Sequence, residues 1–208
     1  MDTLKIFKND FYNRLGGLQI FSGQKVLDYG CGDGTDSVAI AAWAKSVVGV
    51  DLQEDPNWKK IKTKNLKFLV TVSEKTPFKN GEFTGLFVKD VIHHVSDREL
   101  ALKEIKRVSA KNASIVLIEA NRYNPLFFLH MTLLRGHDHL TQSEFKALVK
   151  KHFPQAKFIF FESHYIPCVG KGVFGIIIKI EKFVGNFSFF RVCLSFNVAL
   201  INCPFVKL

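Results

Sequence analysis

Short apolar runs punctuate the chain at Lys25–Tyr29 (KVLDY), Ser46–Val50 (SVVGV), Leu66–Val72 (LKFLVTV), Gly85–Lys89 (GLFVK), Ser114–Glu119 (SIVLIE), Lys157–Phe161 (KFIFF) and Phe196–Cys203 (FNVALINC). Their length and apolar, often β-branched content predict buried strands. The segments between them carry helical signals. Thr35–Ala44 has helix-favouring composition and an apolar stripe. Ser96 and Glu99 stand at capping-box spacing and open a helix to Val108; Thr141 and Glu144 repeat the signal for a helix through about Lys151. Residues 1–22 read as a helical lead-in, and Val173–Val184 places Ile176, Ile177, Ile180, Phe183 and Val184 on one helical face. Strands alternating with helices predict an α/β chain whose mostly parallel sheet is covered on both sides. No repeat, linker or composition break divides it, so residues 1–208 read as one domain: the lead-in, a core over 24–120, and an elaborated C-terminal part over 121–208.

Composition adds three constraints. Phe occurs 21 times, against 4 Tyr and 2 Trp, which favours large dry contacts in a core or an apolar pocket. The formal charge is +10, from 29 Lys plus Arg against 19 Asp plus Glu. Such a surface attracts nucleic acid, acidic lipid headgroups or phosphorylated metabolites, or simply reflects a lysine-rich proteome. Cys31, Cys168, Cys193 and Cys203 form no CxxC pair, so neither a zinc knuckle nor a dithiol redox site is signalled. The first residues lack the apolar stretch of a signal peptide, and the uncharged run near Val192–Val206 is broken and short of a membrane span. A cytoplasmic protein with reduced thiols is the simplest reading. The pattern carries no signal for an oligomeric state.

The sharpest chemical signal is Val26–Gly34, VLDYGCGDG. A buried strand runs into Gly30, Gly32 and Gly34, and a helix follows. Glycine allows a tight turn and lets a ligand approach the backbone. Asp51 ends the next strand, twenty-one positions after Gly30, the spacing of a carboxylate that binds ribose hydroxyls. The spacing is G-x-G-x-G, not the G-x-G-x-x-G of dinucleotide binders, and Asp28 stands just ahead of the glycines. A pyrophosphate disfavours that negative charge, whereas an ammonium group welcomes it.

VLDYGCGDG followed by VVGVD resembles the first two motifs of class I S-adenosylmethionine-dependent methyltransferases, in particular the small methyltransferases typified by ubiquinone/menaquinone C-methyltransferases. The resemblance continues through VSEKTPF (Val72–Phe78), GEFTGLFVKDVIHHV (Gly81–Val95) and ELALKEIKRVSAKNASIVLIE (Glu99–Glu119), covering residues 24–120. It implies a Rossmann-like three-layer sandwich on a mostly parallel seven-stranded sheet with an antiparallel last strand, and S-adenosylmethionine as cofactor. It also implies that Asp28, Gly30, Cys31, Gly32 and Gly34 surround the methionine part. Asp51 would hold the ribose, with Leu52 against the adenine and Ser73 and Glu74 along its edge. Asp90 to His94 would line the floor under the methyl group. Two positions depart from the family: Val72 and Thr84 stand where Asp is usual. Losing the first removes one adenine hydrogen bond, worth on the order of 1 kcal/mol.

The acceptor side carries weaker signals. His93 and His94 follow the fourth strand at the ligand-binding edge, where an imidazole can take a proton from a hydroxyl acceptor; packing or loop bonding is the alternative. Glu119, Asn121, Arg122 and Tyr123 follow the fifth strand and either orient an acceptor or cap loops. Arg135, His137, Asp138 and His139 (RGHDH) suggest a lid over the acceptor pocket or a surface loop. His-x-His can bind a metal only with a third ligand that the spacing does not identify, so no metal is expected. Phe127, Phe128, Met131, Leu133 and Leu134, with the aromatics from Phe158 to Phe190 and the lysines among them, fit core, an apolar acceptor pocket, or a face on anionic lipid. The expected reaction is O- or C-methylation of a small-molecule or lipid- or glycan-linked acceptor. The alternatives are an RNA or protein methyltransferase and a non-catalytic binder of the cofactor. No RNA-binding module is visible, and KDVIHH (Lys89–His94) stands where amino-methylating enzymes carry an Asn-Pro-Pro-Tyr tetrapeptide, so nucleic acid is the less favoured partner.

Overall fold

The computed structural model describes residues 3–72, 74–134, 136, 138–164 and 170–203. Helix α1 (Thr3–Arg14) is followed by glycines at positive φ and a 3-10 turn at Leu18–Phe21, so the lead-in is shorter than its composition suggests. Then come β1 (Lys25–Tyr29), α2 (Thr35–Ala41), β2 (Ser46–Asp51), β3 (Leu66–Val70), β4 (Phe83–Lys89), α3 (Arg98–Val108) and β5 (Ser109–Ala120). The short α4 (Pro125–Phe127) widens into a π-helical turn at Phe128–Leu133, and α5 (Gln142–His152), β6 (Lys157–Phe161), α6 (Lys171–Gly185) and β7 (Phe196–Ile201) complete the chain.

The seven strands form one sheet in the order β3-β2-β1-β4-β5-β7-β6. β7 runs antiparallel to both β5 and β6, and the other pairs are parallel, so the antiparallel last strand is found as expected. Side chains alternate across each strand. Leu27, Tyr29, Val48, Val50, Leu86 and Val88 face a core closed by α3 and α5, while Val26, Val47, Phe87, Val116 and Ile118 face one closed by α1 and α2. Most of the phenylalanines settle here: Phe11 of α1 meets Phe161 and Phe196 edge-on at centroid distances of 5.4 and 5.1 Å.

Several boundaries differ from the pattern. β5 begins five residues before Ser114, because Phe83 at the start of β4 pairs with Ser109. α2 stops at Ala41, β3 at Val70 and β7 at Ile201, short of the expected Ala44, Val72 and Cys203. Asp97, not Ser96, caps α3: its carboxylate accepts from the Glu99 and Leu100 N–H groups, while the Ser96 hydroxyl donates to Glu74 at 2.9 Å. The Thr141–Glu144 capping box forms as expected.

α6 is turned the other way from its apolar stripe. Ile176, Ile180 and Phe183 are 58, 57 and 64% exposed, whereas Phe174 and Glu181 are its buried residues. Polar contacts fix that orientation. Glu181 accepts the His164 N–H at 2.8 Å and lies 3.8 Å from the Arg14 guanidinium, and Lys182 pairs with Asp10 at 2.8 Å. Turning the helix about its axis would strip Glu181 from these partners and leave the buried Arg14 guanidinium with one carboxylate fewer, a costly loss of compensation. Among the described residues no helix is long and apolar enough to cross a membrane.

A second buried carboxylate holds the loop after β3. Glu104 of α3 accepts from the Thr76 N–H and hydroxyl and from Arg107. Burial raises its pKa, but these donors outweigh it and hold it below the usual carboxylate range. Glu104→Ala strands the Thr76 N–H and the Arg107 fork, and is expected to cost about 2–3 kcal/mol in denaturant unfolding. A cost within experimental error would mean that the loop is held elsewhere.

Candidate functional site

A cavity of about 630 Å³ opens at the C-terminal ends of β1, β2 and β4. This is the edge at which ligands bind open α/β sheets. The glycine turn forms one wall. Gly30, Gly32 and Gly34 all have positive φ, at 78°, 50° and 80°. A Cβ on Gly30 would lie 2.2 Å from Val91, and one on Gly34 2.5 Å from Phe68, whereas one on Gly32 meets nothing within 4 Å. The first and third glycines therefore let the chain pack closely, and the middle one leaves room at the cavity.

Asp51 ties that turn down. Its Oδ2 accepts the Gly32 N–H at 2.8 Å and its Oδ1 accepts the Leu52 N–H at 2.7 Å. The Gly32 carbonyl in turn accepts the Trp58 indole N–H at 2.8 Å, and Trp58 stacks on Phe68 with centroids 4.8 Å apart. Trp58 escaped the sequence reading because nothing local marks it as a partner of the turn.

Of the expected cofactor residues, Gly30, Cys31, Gly32, Asp51, Leu52 and Asp90 line the cavity. Gly34 lies behind it as the N-cap of α2, and Ser73 lies outside the described residues. Glu74 is engaged by Ser96 and does not line the cavity. Asp28 is also absent from the lining, which corrects its expected place against the ligand. It faces the α2 side, where the Ser37 hydroxyl donates to it. Strand alternation explains the difference, because Asp28 shares the face of Val26, away from Leu27 and Tyr29. Burial pushes its pKa up to about 7, against the opposing pull of Ser37 and with Asp36 adding to the rise. Between roughly pH 4 and 7 the native state thus keeps a proton that the unfolded chain releases, so this group lowers stability as pH rises. Asp28→Asn is expected to gain roughly 2–3 kcal/mol relative to the parent between pH 5 and 8. Parallel stability curves for the two proteins would show that the carboxylate is not desolvated.

Asp36 and Lys89 also line the cavity, although nothing local in the sequence marks either as a site residue. Asp36 accepts from the Tyr12 hydroxyl at 2.5 Å and pairs with Lys89 at 3.1 Å and Lys8 at 3.5 Å. Burial opposes its ionisation, but these cations and the tyrosine hold its pKa below the usual range. Their spacing of 53 residues leaves no sequence signature. The lining thus carries four carboxylates, of Asp33, Asp36, Asp51 and Asp90, against the ammonium of Lys89. A protein of net charge +10 keeps an acidic pocket. Neither family departure removes this: Val72 is 57% exposed beyond the end of β3, and Thr84 sits at the far end of β4, where its hydroxyl accepts the Lys25 N–H.

On the acceptor side His94 lines the cavity, with Asp90, Val91 and Val95. His93 turns inward, its Nδ1 2.6 Å from Glu119 Oε2. Glu119 is fully buried, and its Oε1 accepts the Val91 and Ile92 N–H groups at 3.0 and 2.6 Å, so it anchors the loop after β4. Burial raises its pKa against the pull of His93. Asn121 is also buried and donates to the Val192 and Leu194 carbonyls, and Tyr123 is exposed; neither lines the cavity, as an acceptor-orienting role would require. Arg122 and Arg98 pair with Asp138. Arg135 and His137 lie outside the described residues. His139 is buried, with its ring 4.2 Å from that of His93.

Residues 27–117 match the family model described as Methyltransferase domain. The chain is 26% identical over 131 residues to the uncharacterized methyltransferase YcgJ of Bacillus subtilis, covering 57% of this chain and 51% of the relative. It is 30% identical over 110 residues to the mitochondrial ubiquinone biosynthesis O-methyltransferase of Arabidopsis thaliana, covering 49% and 34%. The chain therefore spans about half, or less, of the length of these curated relatives. A solved S-adenosylmethionine-dependent methyltransferase from Archaeoglobus fulgidus superposes with a TM-score of 0.68 at 15% identity, over 95% of this chain and 93% of the other. Residues 27–117, a little under half of the chain, thus match a methyltransferase domain, and the chain as a whole shares the fold of the solved enzyme from Archaeoglobus fulgidus.

Proposed function

We propose that the protein binds S-adenosylmethionine in this cavity and methylates a hydroxyl oxygen or a carbon of a small-molecule or lipid-linked acceptor. The observation that carries the reading is the acidic lining: a pocket with four carboxylates and one lysine suits a ligand bearing an ammonium and a sulfonium, and repels a pyrophosphate. The fit is also steric, since the open side of Gly32 leaves the space a ligand backbone needs. Asp51 keeps lone pairs for two ribose hydroxyls beyond those used by Gly32 and Leu52. Leu52 offers an apolar contact to the adenine. When bound, the cofactor supplies a methyl group already activated on a sulfonium. The chain's task is then to hold the acceptor in line and exclude water. His94, at the cavity wall, is the group placed to take a proton from a hydroxyl acceptor.

The exposed Val173, Ile176, Ile180 and Phe183 of α6, with Phe187 and Phe190 after it and Lys171, Lys179 and Lys182 along the helix, support a lipid-linked acceptor reached from an anionic membrane surface. The reading is tested with purified protein, methyl-labelled S-adenosylmethionine and a cell extract split into lipid, small-molecule, RNA and protein fractions. Label above a cofactor-blind control in the lipid or small-molecule fraction is expected. Label in RNA or protein would move the acceptor class, and no label with cofactor binding intact would make the protein a non-catalytic binder.

A further inference from the structure

Behind the cavity wall, three buried side chains from distant parts of the chain converge. His93 comes from the loop after β4, Glu119 from the end of β5, and His139 from the segment before α5. One donor atom from each lies within 4.8 Å of the others. Glu119 is fully buried and His139 1% exposed, and the His93 side chain is 2% exposed. Among the described residues the one ion-pair partner of Glu119 is His93; no lysine or arginine neutralises it. The buried Oδ1 of Asp90, on the same loop, has no hydrogen-bond partner among the described residues. Asp90 lies close enough to Glu119 to disfavour its ionisation, and Lys89 offsets part of the Asp90 charge, so a cation at the Glu119 end would add attraction to this buried carboxylate.

We propose that His93, Glu119 and His139 form a binding site for a divalent first-row transition ion of the zinc class. Two imidazoles and one carboxylate suit borderline ions such as zinc, cobalt or ferrous iron better than magnesium or calcium, which prefer all-oxygen sites. The geometry is within reach. At metal–ligand distances near 2.0–2.2 Å a tetrahedral ion holds its ligand atoms roughly 3.4 Å apart. The His93–Glu119 contact of 2.6 Å therefore opens by under ~1 Å, and the remaining separations, at most 4.8 Å, close by at most about 1.4 Å. Glu119 Oε1 stays on the Val91 and Ile92 N–H groups, so Oε2 is the oxygen offered to the ion. Those two N–H bonds orient the ligating carboxylate from behind, as metal sites require.

Of the His-x-His stretch His139 joins the cluster, and its two partners, absent from its sequence neighbourhood, stand 20 and 46 residues upstream, at the end of β5 and on the loop after β4. A bound ion would lock three chain segments together directly behind His94, whose ring lies 3.9 Å from that of His93. The site stands whether or not methyl transfer is the reaction.

The test uses full-length protein without a histidine tag, stripped with chelator and titrated with cobalt(II). One ion per chain is expected, with ligand-field bands and no sulfur-to-metal charge transfer. Affinity should fall at least a hundredfold in His139→Ala and in His93→Ala. It should stay unchanged in His152→Ala, which removes a histidine paired with Glu99 outside the cluster. No binding by the parent, or equal binding by His139→Ala, overturns the proposal. Should the cluster variants fail to fold, X-ray absorption of the zinc-loaded parent decides: two imidazoles per ion support the site, and fewer overturn it.

Discussion

Asp51→Ala is expected to weaken binding of S-adenosylhomocysteine by two to three orders of magnitude in calorimetry. Two contributions add. A carboxylate on two ribose hydroxyls makes charge-assisted hydrogen bonds worth about 1.5–3 kcal/mol each, and every 1.4 kcal/mol is a factor of ten in affinity. The same carboxylate also holds the Gly32 and Leu52 N–H groups, so alanine loosens the turn that shapes the cavity. Asp51→Asn separates the two: its single carbonyl oxygen keeps part of the loop anchor and loses the charge, so an intermediate affinity is expected. Unchanged affinity in Asp51→Ala would remove the ribose assignment and with it the proposed orientation of the cofactor.

Gly32→Arg should abolish binding of the same nucleoside while leaving the protein folded. A Cβ at Gly32 meets nothing within 4 Å, and its φ of 50° costs a non-glycine residue only about 1–2 kcal/mol. For a chain of 208 residues that is a fall in Tm of roughly 2–8 °C. The guanidinium then fills the space at the cavity. Gly30→Ala makes the opposite prediction, because its Cβ would stand 2.2 Å from Val91. That contact forces the loop after β4 to move, and thermal stability should fall well below that of Gly32→Arg. If both variants melt alike, the assignment of packing to Gly30 and ligand space to Gly32 is wrong.

How much of this was legible in the chain follows from distance along it. The turn from β1 into α2 and the carboxylate ending β2 are local features, and glycines at fixed offsets after an apolar strand announce them. The seven strands were visible as short apolar runs, because both faces of the sheet are covered. Asp28 was misplaced because the motif gives a position but not the face, and β1 alternation turns it towards Ser37. Asp36 with Lys89, and His93 with Glu119 and His139, are pairings across the sheet, which no spacing rule reaches. α6 failed for another reason: its apolar stripe is real, but Glu181, Arg14 and His164 hold the opposite face inward.

The indole of Trp58 makes the site optically self-reporting. The chain has two tryptophans, and the other, Trp43, is half exposed on the far side of α2 from the glycine turn. Replacing Trp43 with Phe would leave one fluorophore, hydrogen-bonded to the Gly32 carbonyl and stacked on Phe68. Its emission would then follow the glycine turn as ligand enters, giving affinities and millisecond binding kinetics from unlabelled protein, before any acceptor is known.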